Sequence, residues 1–346
     1  MAETMLYPLR FAPIYQYRLW GGRQFAALLA EPLPNDGPIG EAWVLSDRED
    51  HASKIANGPL LGQTIGSVMD ESQEQLMGKL AGRFQRFPLL LKFLDAHTML
   101  SVQVHPGYRG AGALLAGETA KTEAWVVLEA GKDSRIYAGL HPGTTAATLR
   151  HSIANATLAG QLVFIQPKPG DAVFIPAGTV HSLGGDVVVF EVQQNSDTTY
   201  RLYDWGHVDA KTGQPRALQL ESALACIDFA DGTSGPVKPV VEPGALGERE
   251  QLFDCPAFQL WRLHGESPFT VGALNVPRVL VCTEGTGQIE HEGNMYAISK
   301  GEVWLLPAVV GPCSVRPSGA MCLLEIAIPE KPESARPNEG SVGKST

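Results

Sequence analysis

Four side chains able to bind a metal fall within three short stretches of this sequence. Residues 170–181 read Gly-Asp-Ala-Val-Phe-Ile-Pro-Ala-Gly-Thr-Val-His. Gly170-Asp171 predicts a tight turn, Ala172 to Ile175 a strand, and Pro176-Ala177-Gly178 a second turn that ends the strand and aims His181. In Ser101-Val102-Gln103-Val104-His105, the period of two puts Ser101, Gln103 and His105 on one face of a strand and the valines on the other. The same rule places Lys121 and Glu123 together at the entrance of an apolar strand that runs to Leu128. Gln103, His105, Glu123 and His181 make a mixed nitrogen and oxygen set for one divalent ion. Zn²⁺ suits that set best, with water completing its shell. Gln103 is the weakest member, because a neutral amide oxygen is a poor zinc ligand; it can equally orient a bound water.

A second polar concentration follows His181. Residues 191–201, Glu-Val-Gln-Gln-Asn-Ser-Asp-Thr-Thr-Tyr-Arg, pack ionisable groups between two apolar strands, more densely than a purely structural loop does. Lys92 interrupts the apolar run Leu89 to Leu94. It is either an edge residue reaching water along its aliphatic stem or a buried cation with an anionic partner. Trp20-Gly21-Gly22 and Gly40-Glu41-Ala42-Trp43 set a tryptophan beside glycine, either as core filler or where ring and backbone border a pocket.

Phe87-Pro88-Leu89-Leu90-Leu91-Lys92, the Gln103-Val104-His105-Pro106 strand, Lys121-Thr122-Glu123, Gly178-Thr179-Val180-His181 and the run from Gln194 to Asp204 come in an order and spacing that resembles the type I phosphomannose isomerases in their short bacterial form. The likeness extends from about Pro8 to Ile227. It implies a cupin fold, one Zn²⁺ per chain, and interconversion of mannose 6-phosphate with fructose 6-phosphate. By the same resemblance Lys92 and Ser101 face the phosphate, Trp20 lines the sugar site, and Arg201 is catalytic, a fixed cation against the enediolate or the phosphate. Arginine does not carry protons at neutral pH. That task falls to Lys121, to Glu191 or to a zinc-bound water, with the ion lowering the Lys121 pKa. Asp197, on the substrate side, is expected to orient Arg201.

The elements that must position these groups read as mainly β with accessory helices, arranged as two cupin-type (jelly-roll) β-barrels. Helical patterns cover residues 60–82, with Thr64 as its start and Gly82 as its end, then 144–160 and 216–229. Gly301-Glu302-Val303-Trp304-Leu305-Leu306-Pro307-Ala308 echoes Gly170 to Ala177, so a second barrel is expected over 249–330. The repeat places Pro312 where the first copy has His181, and no ligand set follows. The first 235 residues then form the catalytic unit, the Gly/Pro-rich stretch 231–248 a linker, and 331–346 a disordered tail. The interval between Glu123 and His181 is too short for the helical insertion of the long type I enzymes.

Composition narrows the partners. Twenty-seven basic against thirty-seven acidic residues give a net charge of −10 in 346 residues, which disfavours nucleic acid. An anionic substrate such as a sugar phosphate must therefore be met by a local cluster of cations. No apolar run approaches a membrane span and no signal pattern opens the chain, so a cytoplasmic protein is expected. Five widely spaced cysteines without a CxxC pair point to reduced thiols used as small apolar side chains. Monomer and homodimer are both compatible with the sequence. Two competing functions share the fold: another metal-dependent enzyme, such as a dioxygenase or a related sugar-phosphate isomerase, and a non-catalytic sugar-phosphate-binding cupin. The Gln103, Glu123 and Arg201 motifs weigh against the dioxygenase, and the intact motifs against the binder.

Overall fold

The computed structural model describes residues 5–34, 37–107, 119–230, 235–243 and 248–331. Alternation of apolar residues along short strands builds two pairs of antiparallel sheets. The strands of the first pair are β2 (Ile14–Gly22), β3 (Ile39–Leu45), β4 (Leu89–Ala96), β5 (Val102–Val104), β6 (Glu123–Ala130), β7 (Arg135–Leu140), β8 (Leu162–Ile165), β9 (Ala172–Ile175), β10 (His181–Gly184), β11 (Val187–Gln194) and β12 (Tyr200–Tyr203), preceded by β1 (Leu9–Arg10). One sheet runs β2-β3-β4-β11-β6-β9 and the other β12-β5-β10-β7-β8. After a small hairpin of β13 (Val208–Asp209) and β14 (Gln214–Pro215) comes the second pair. Its members are β15 (Val240–Val241), β16 (Glu248–Asp254), β17 (Gln259–Gly265), β18 (Phe269–Val271), β19 (Arg278–Glu284), β20 (Thr286–His291), β21 (Asn294–Ser299), β22 (Val303–Leu306), β23 (Cys313–Pro317) and β24 (Met321–Ala327).

The two pairs follow one plan. Read from β9, the first large sheet runs 9-6-11-4-3-2; read from β22, its counterpart runs 22-19-24-17-16-15, with β1 added beyond β22. The smaller sheets match as 5-10-7-8 and 18-23-20-21, and β12 has no counterpart. The repeat seen in the sequence sits at equivalent places, β9 and β22. Each of these strands is entered through a glycine in the left-handed region, φ +90° at Gly170 and +87° at Gly301, where a Cβ would strain the turn. The fold is the expected one, mainly β and cupin-like.

Inside the first pair, Leu94, Trp125, Val127, Leu183 and Val189 form a core between the two sheets. The opposite face of the large sheet, with Leu91, Phe93, Ala124, Val126 and Val192, joins Leu260, Val279, Leu305 and Leu324 of the second pair in one continuous apolar cluster. The N-terminal strand contributes as well, since Leu9 pairs with Leu305 in the second unit's sheet. Burial of this shared face is what the second unit provides to the first.

Accessory helices are shorter than the periodicity predicts. Thr64 caps a helix over Ile65–Glu71, as expected. The chain then breaks at Ser72 and resumes as Gln73–Met77 and a 3₁₀ turn, Gly78–Leu80. Tertiary contacts end it there: the carbonyls of Gln75 and Leu76 accept from Val309 and Ala308, and a Cβ on Gly78 would lie 2.3 Å from the Asn275 carbonyl. Residues 146–154 form the second helix behind a Thr145 capping box, and Leu220–Cys226 the third. Both pack on Val102, Val104, Tyr200 and Leu202 at the back of the smaller sheet.

The stretch expected as linker is tied down where it is described, with Val237 N–H donating to the Ala172 carbonyl and Val240–Val241 forming an edge strand. Residues 231–234, 244–247 and the tail beyond 331 lie outside the described residues. None of the cysteines is in a disulfide. Burial pushes the Cys282 and Cys313 thiols up to about 12 and about 11. No described helix is long and apolar enough to cross a membrane.

Candidate metal centre and active site

Four polar residues that interrupt or flank apolar strands share the inner face of the first sheet pair. Lys92 stands in the inward series of β4 with Leu94 and Ala96, Glu191 in that of β11 with Val189 and Val187, and Glu123 in that of β6 with Trp125 and Val127. Gln103 faces inward from β5 while Val102 and Val104 pack behind it, as alternation requires. The turn after β9 is fastened to the same place. Gly178, at φ +92°, donates its N–H to the His105 carbonyl at 2.9 Å, which delivers His181 to the start of β10 opposite Gln103.

Three of the four expected ligands meet there. His105, Glu123 and His181 are buried, with ligand atoms all within 4.8 Å of one another. His105 Nδ1 donates to the Thr198 carbonyl and His181 Nδ1 to the Thr179 carbonyl, each at 2.9 Å. These bonds fix both tautomers and leave the Nε2 lone pairs aimed at the carboxylate, 3.3 Å from Glu123 Oε2 and Oε1 respectively. Burial holds both imidazoles below their ordinary pKa, His105 at about 3, so they face Glu123 as acceptors. Neither Glu123 oxygen has a well-directed hydrogen bond, although Lys121 Nζ lies 2.8 Å from Oε2. Two lone pairs turned on a buried carboxylate repel one another, and a divalent cation reverses the sign of all three interactions. The donor set, two imidazoles and a carboxylate with their outer nitrogens bound to carbonyls, is that of a metal site. The Gln103 side chain borders the triad: its amide nitrogen lies 3.2 Å from His181 Nε2, and its oxygen, the atom a metal would need, accepts from Ser101 Oγ.

Above the triad opens a cleft of about 410 Å³. Trp20, Lys92, Ser101, Lys121, Glu191 and Arg201 line it, as does Asp197. Lys121 Nζ also reaches His105 Nε2 at 3.0 Å. Burial alone would lower its pKa, but Glu123 and Glu191 outweigh that and hold it above the ordinary lysine value. In the protein alone, then, Lys121 is a firm cation. Lys92 is the buried cation of the two readings. Its ammonium lies 3.7–3.8 Å from carboxylate oxygens of Glu41, Glu191 and Asp197 and 4.7 Å from the Trp43 ring centre. Burial and then the Glu123 charge push Glu191 up to about 7, and Trp125 Nε1 holds one of its oxygens at 2.9 Å.

One expected contact is corrected. Asp197 pairs with Lys92 and makes no described contact with Arg201, whose nearby carboxylate charge is Asp204. Asp197 and Arg201 are close in sequence, but β12 begins between them and turns the arginine onto the small sheet. Further cleft residues escaped the sequence reading, among them Arg18, which grips Glu41 through Nε and Nη2 at 2.9 and 3.0 Å, Glu41 itself, Asp209 and Arg216. The local signal for Arg18 is its place two residues before Trp20 on β2.

The chain matches the model of the phosphomannose isomerase type I catalytic domain over residues 9–124. It is 35% identical over 309 residues to the mannose-6-phosphate isomerase ManA of Bacillus subtilis strain 168, covering 88% of this chain and 94% of that protein. It belongs to the type I phosphomannose isomerases. A second member of that family, the mannose-6-phosphate isomerase of Streptococcus mutans, is 32% identical over 310 residues, again covering 88% and 94%. Among solved structures, the Bacillus subtilis mannose 6-phosphate isomerase superposes with a TM-score of 0.84 at 27% identity over 93% of this chain and 99% of that one. A putative mannosephosphate isomerase from Archaeoglobus fulgidus shares the fold, with a TM-score of 0.72 at 20% identity.

Proposed function

We propose that this protein interconverts mannose 6-phosphate and fructose 6-phosphate, with one Zn²⁺ held by His105, Glu123 and His181 and Gln103 as a weaker fourth donor. The observation that carries the reading is the buried Glu123 carboxylate, ion-paired with Lys121 yet flanked by two Nε2 lone pairs, beside a cleft that Lys121 itself helps to line. When bound, the ion supplies a Lewis acid that polarises the carbonyl oxygen of the open-chain sugar.

The reaction takes a proton from C2 of the aldose and returns one to C1 through an enediolate. Lys121, whose ammonium lies beside the triad, stabilises the charge that develops on oxygen. Glu191, on the cleft wall, is the proton carrier, since a carboxylate poised near neutrality can take a proton and give it back. Trp125 and Lys92 fix it in place. Ser101 and Trp20 form the sugar-facing wall with Gln103. Arg201 adds a cation on the edge strand β12. Residues 249–330 serve as a support without a ligand set. The cytoplasm is the compartment consistent with reduced cysteines.

A coupled assay for fructose 6-phosphate formed from mannose 6-phosphate tests the proposal, run before and after chelation and again after adding Zn²⁺. Activity that is lost and then restored is expected; no product from the metal-loaded protein ends the reading.

A further inference from the structure

Two cations of the cleft remain once the triad and the charged layer around Lys92 are accounted for. Arg201 and Arg216 both line it. Sheet register fixes where the first of them stands. Arg201 pairs with Gln103 and Gln103 with His181, so Arg201 starts two strand spacings from His181, roughly 10 Å. A hexose 6-phosphate carries its phosphate four carbons beyond the reacting pair, and a reach of that order is what the spacing offers.

The hydrogen-bond inventory of the two guanidiniums is incomplete in a way that points to an anion. Arg201 Nη1 donates to the Ala217 carbonyl at 3.0 Å, but its Nε is buried without a partner. Arg216 is held from behind by Asp204, through Nε at 2.8 Å and through Nη2. Its Nη1 has no partner among the described residues. Burial, and then the neighbouring Arg216 charge, hold Arg201 below its ordinary pKa against the opposing pull of Asp204. Lys92 is the opposite case, a cation already faced by three carboxylates, and it has little left to offer a phosphate.

We propose that Arg216, together with Arg201, grips the phosphate group of the substrate, and that Asp204 is a positioning residue that presents the outer edge of Arg216 to it. This rests on the reading that the substrate is a hexose 6-phosphate. It moves the phosphate from Lys92 to the β12 side of the cleft. Guanidinium forks suit the task, since their paired N–H groups match phosphate oxygens geometrically.

The test compares Arg216→Gln, Arg216→Lys and Asp204→Asn with wild type in the full-length, metal-loaded enzyme. Two quantities are read: the KM for mannose 6-phosphate and the inhibition constant of inorganic phosphate. Arg216→Gln should raise both at least tenfold while kcat changes only a few-fold, because a group that holds the phosphate alike in ground and transition states acts on KM. Arg216→Lys should fall between, and Asp204→Asn should shift both constants in the same direction by less. An unchanged inhibition constant in folded Arg216→Gln, or a loss confined to kcat, overturns the proposal. If Arg216→Gln does not fold, Arg216→Lys carries the same comparison. If wild type fails to isomerise mannose 6-phosphate, the functional reading falls separately. The grip is then judged by the thermal stabilisation that inorganic phosphate gives wild type and Arg216→Lys: a smaller shift in the variant supports it, and equal shifts refute it.

Discussion

Glu123 and Arg278 occupy the same place in two sheets built to one plan. Glu123 opens β6 opposite Ile175 of β9, and Arg278 opens β19 opposite Leu306 of β22. Where the first unit presents a carboxylate to its imidazoles, the second presents a guanidinium, which lies 3.9 Å from the buried Glu325. The counterpart of the Gln103–His181 pair is Val271–Cys313. The spacing of the repeat puts Pro312 there, but the loop after β22 is one residue longer than that after β9. Valine and arginine bind no metal, and a lone buried thiol is a weak start for a site.

Metal analysis of the full-length protein is therefore expected to give one divalent ion per chain. His105→Ala and His181→Ala should each lower metal affinity far more than Gln103→Ala, because imidazole is the stronger donor. Two tightly held equivalents in wild type, or a full equivalent retained in His181→Ala, contradicts the assignment.

Lys92→Met tests the charged layer. The side chain is 4% exposed, so its charge is balanced by Glu41, Glu191 and Asp197 and not by water. Removing one partner of a buried ionic group costs about 3–5 kcal/mol, and urea unfolding at pH 7 should show a loss of that order. A variant as stable as wild type means the three carboxylates find other partners.

The same layer sets a pH dependence. Burial alone would raise the Glu41 pKa, but Lys92 and Arg18 outweigh it and bring it down to about 2 from 4.5. A carboxylate with a depressed folded pKa contributes stability that is complete above about pH 4.5 and is lost as pH falls toward about 2; the shift corresponds to about 3 kcal/mol. The stability gap between wild type and Glu41→Gln should therefore shrink as pH falls from 5 toward 3. A gap that stays constant over that range assigns the effect to packing instead.

What the sequence showed and what it hid divide on the range of the interactions. The β9 turn and His181 were legible because glycine and proline punctuate that segment. Lys92 and Glu191 were legible as polar residues inside apolar strands. Arg18, Glu41, Asp204 and Arg216 were not singled out, because each acquires its meaning from a partner 12 or 23 positions away. The Asp197 partner was misread for the same reason. Nearness along the chain suggested Arg201, while the fold supplied Lys92 from another strand. The helix predicted over 60–82 breaks at Ser72 and ends where the Gln75 and Leu76 carbonyls bond Val309 and Ala308, a contact with the second unit that no local pattern carries.

Glu191 and Lys121 share the cleft wall above the triad, and their opposite displacements divide the chemistry between them. In the protein alone Lys121 is raised by Glu123 and Glu191 against the effect of burial, which assigns it the role of the fixed charge. Glu191, raised by burial to about 7, exchanges its proton in the working range. Glu191→Gln keeps the shape and the hydrogen bond from Trp125 but cannot accept a proton. It should lower kcat by about 10²- to 10⁴-fold, the usual loss of a general base, with metal content unchanged. The wild-type rate should rise with pH as Glu191 ionises, and bound cation will move that rise below 7. In the variant this limb should disappear, which a merely structural glutamate would not cause. Lys121→Met should instead lower kcat while keeping the limb. If Glu191→Gln retains the wild-type pH profile and the Lys121 variant loses it, the two roles must be exchanged.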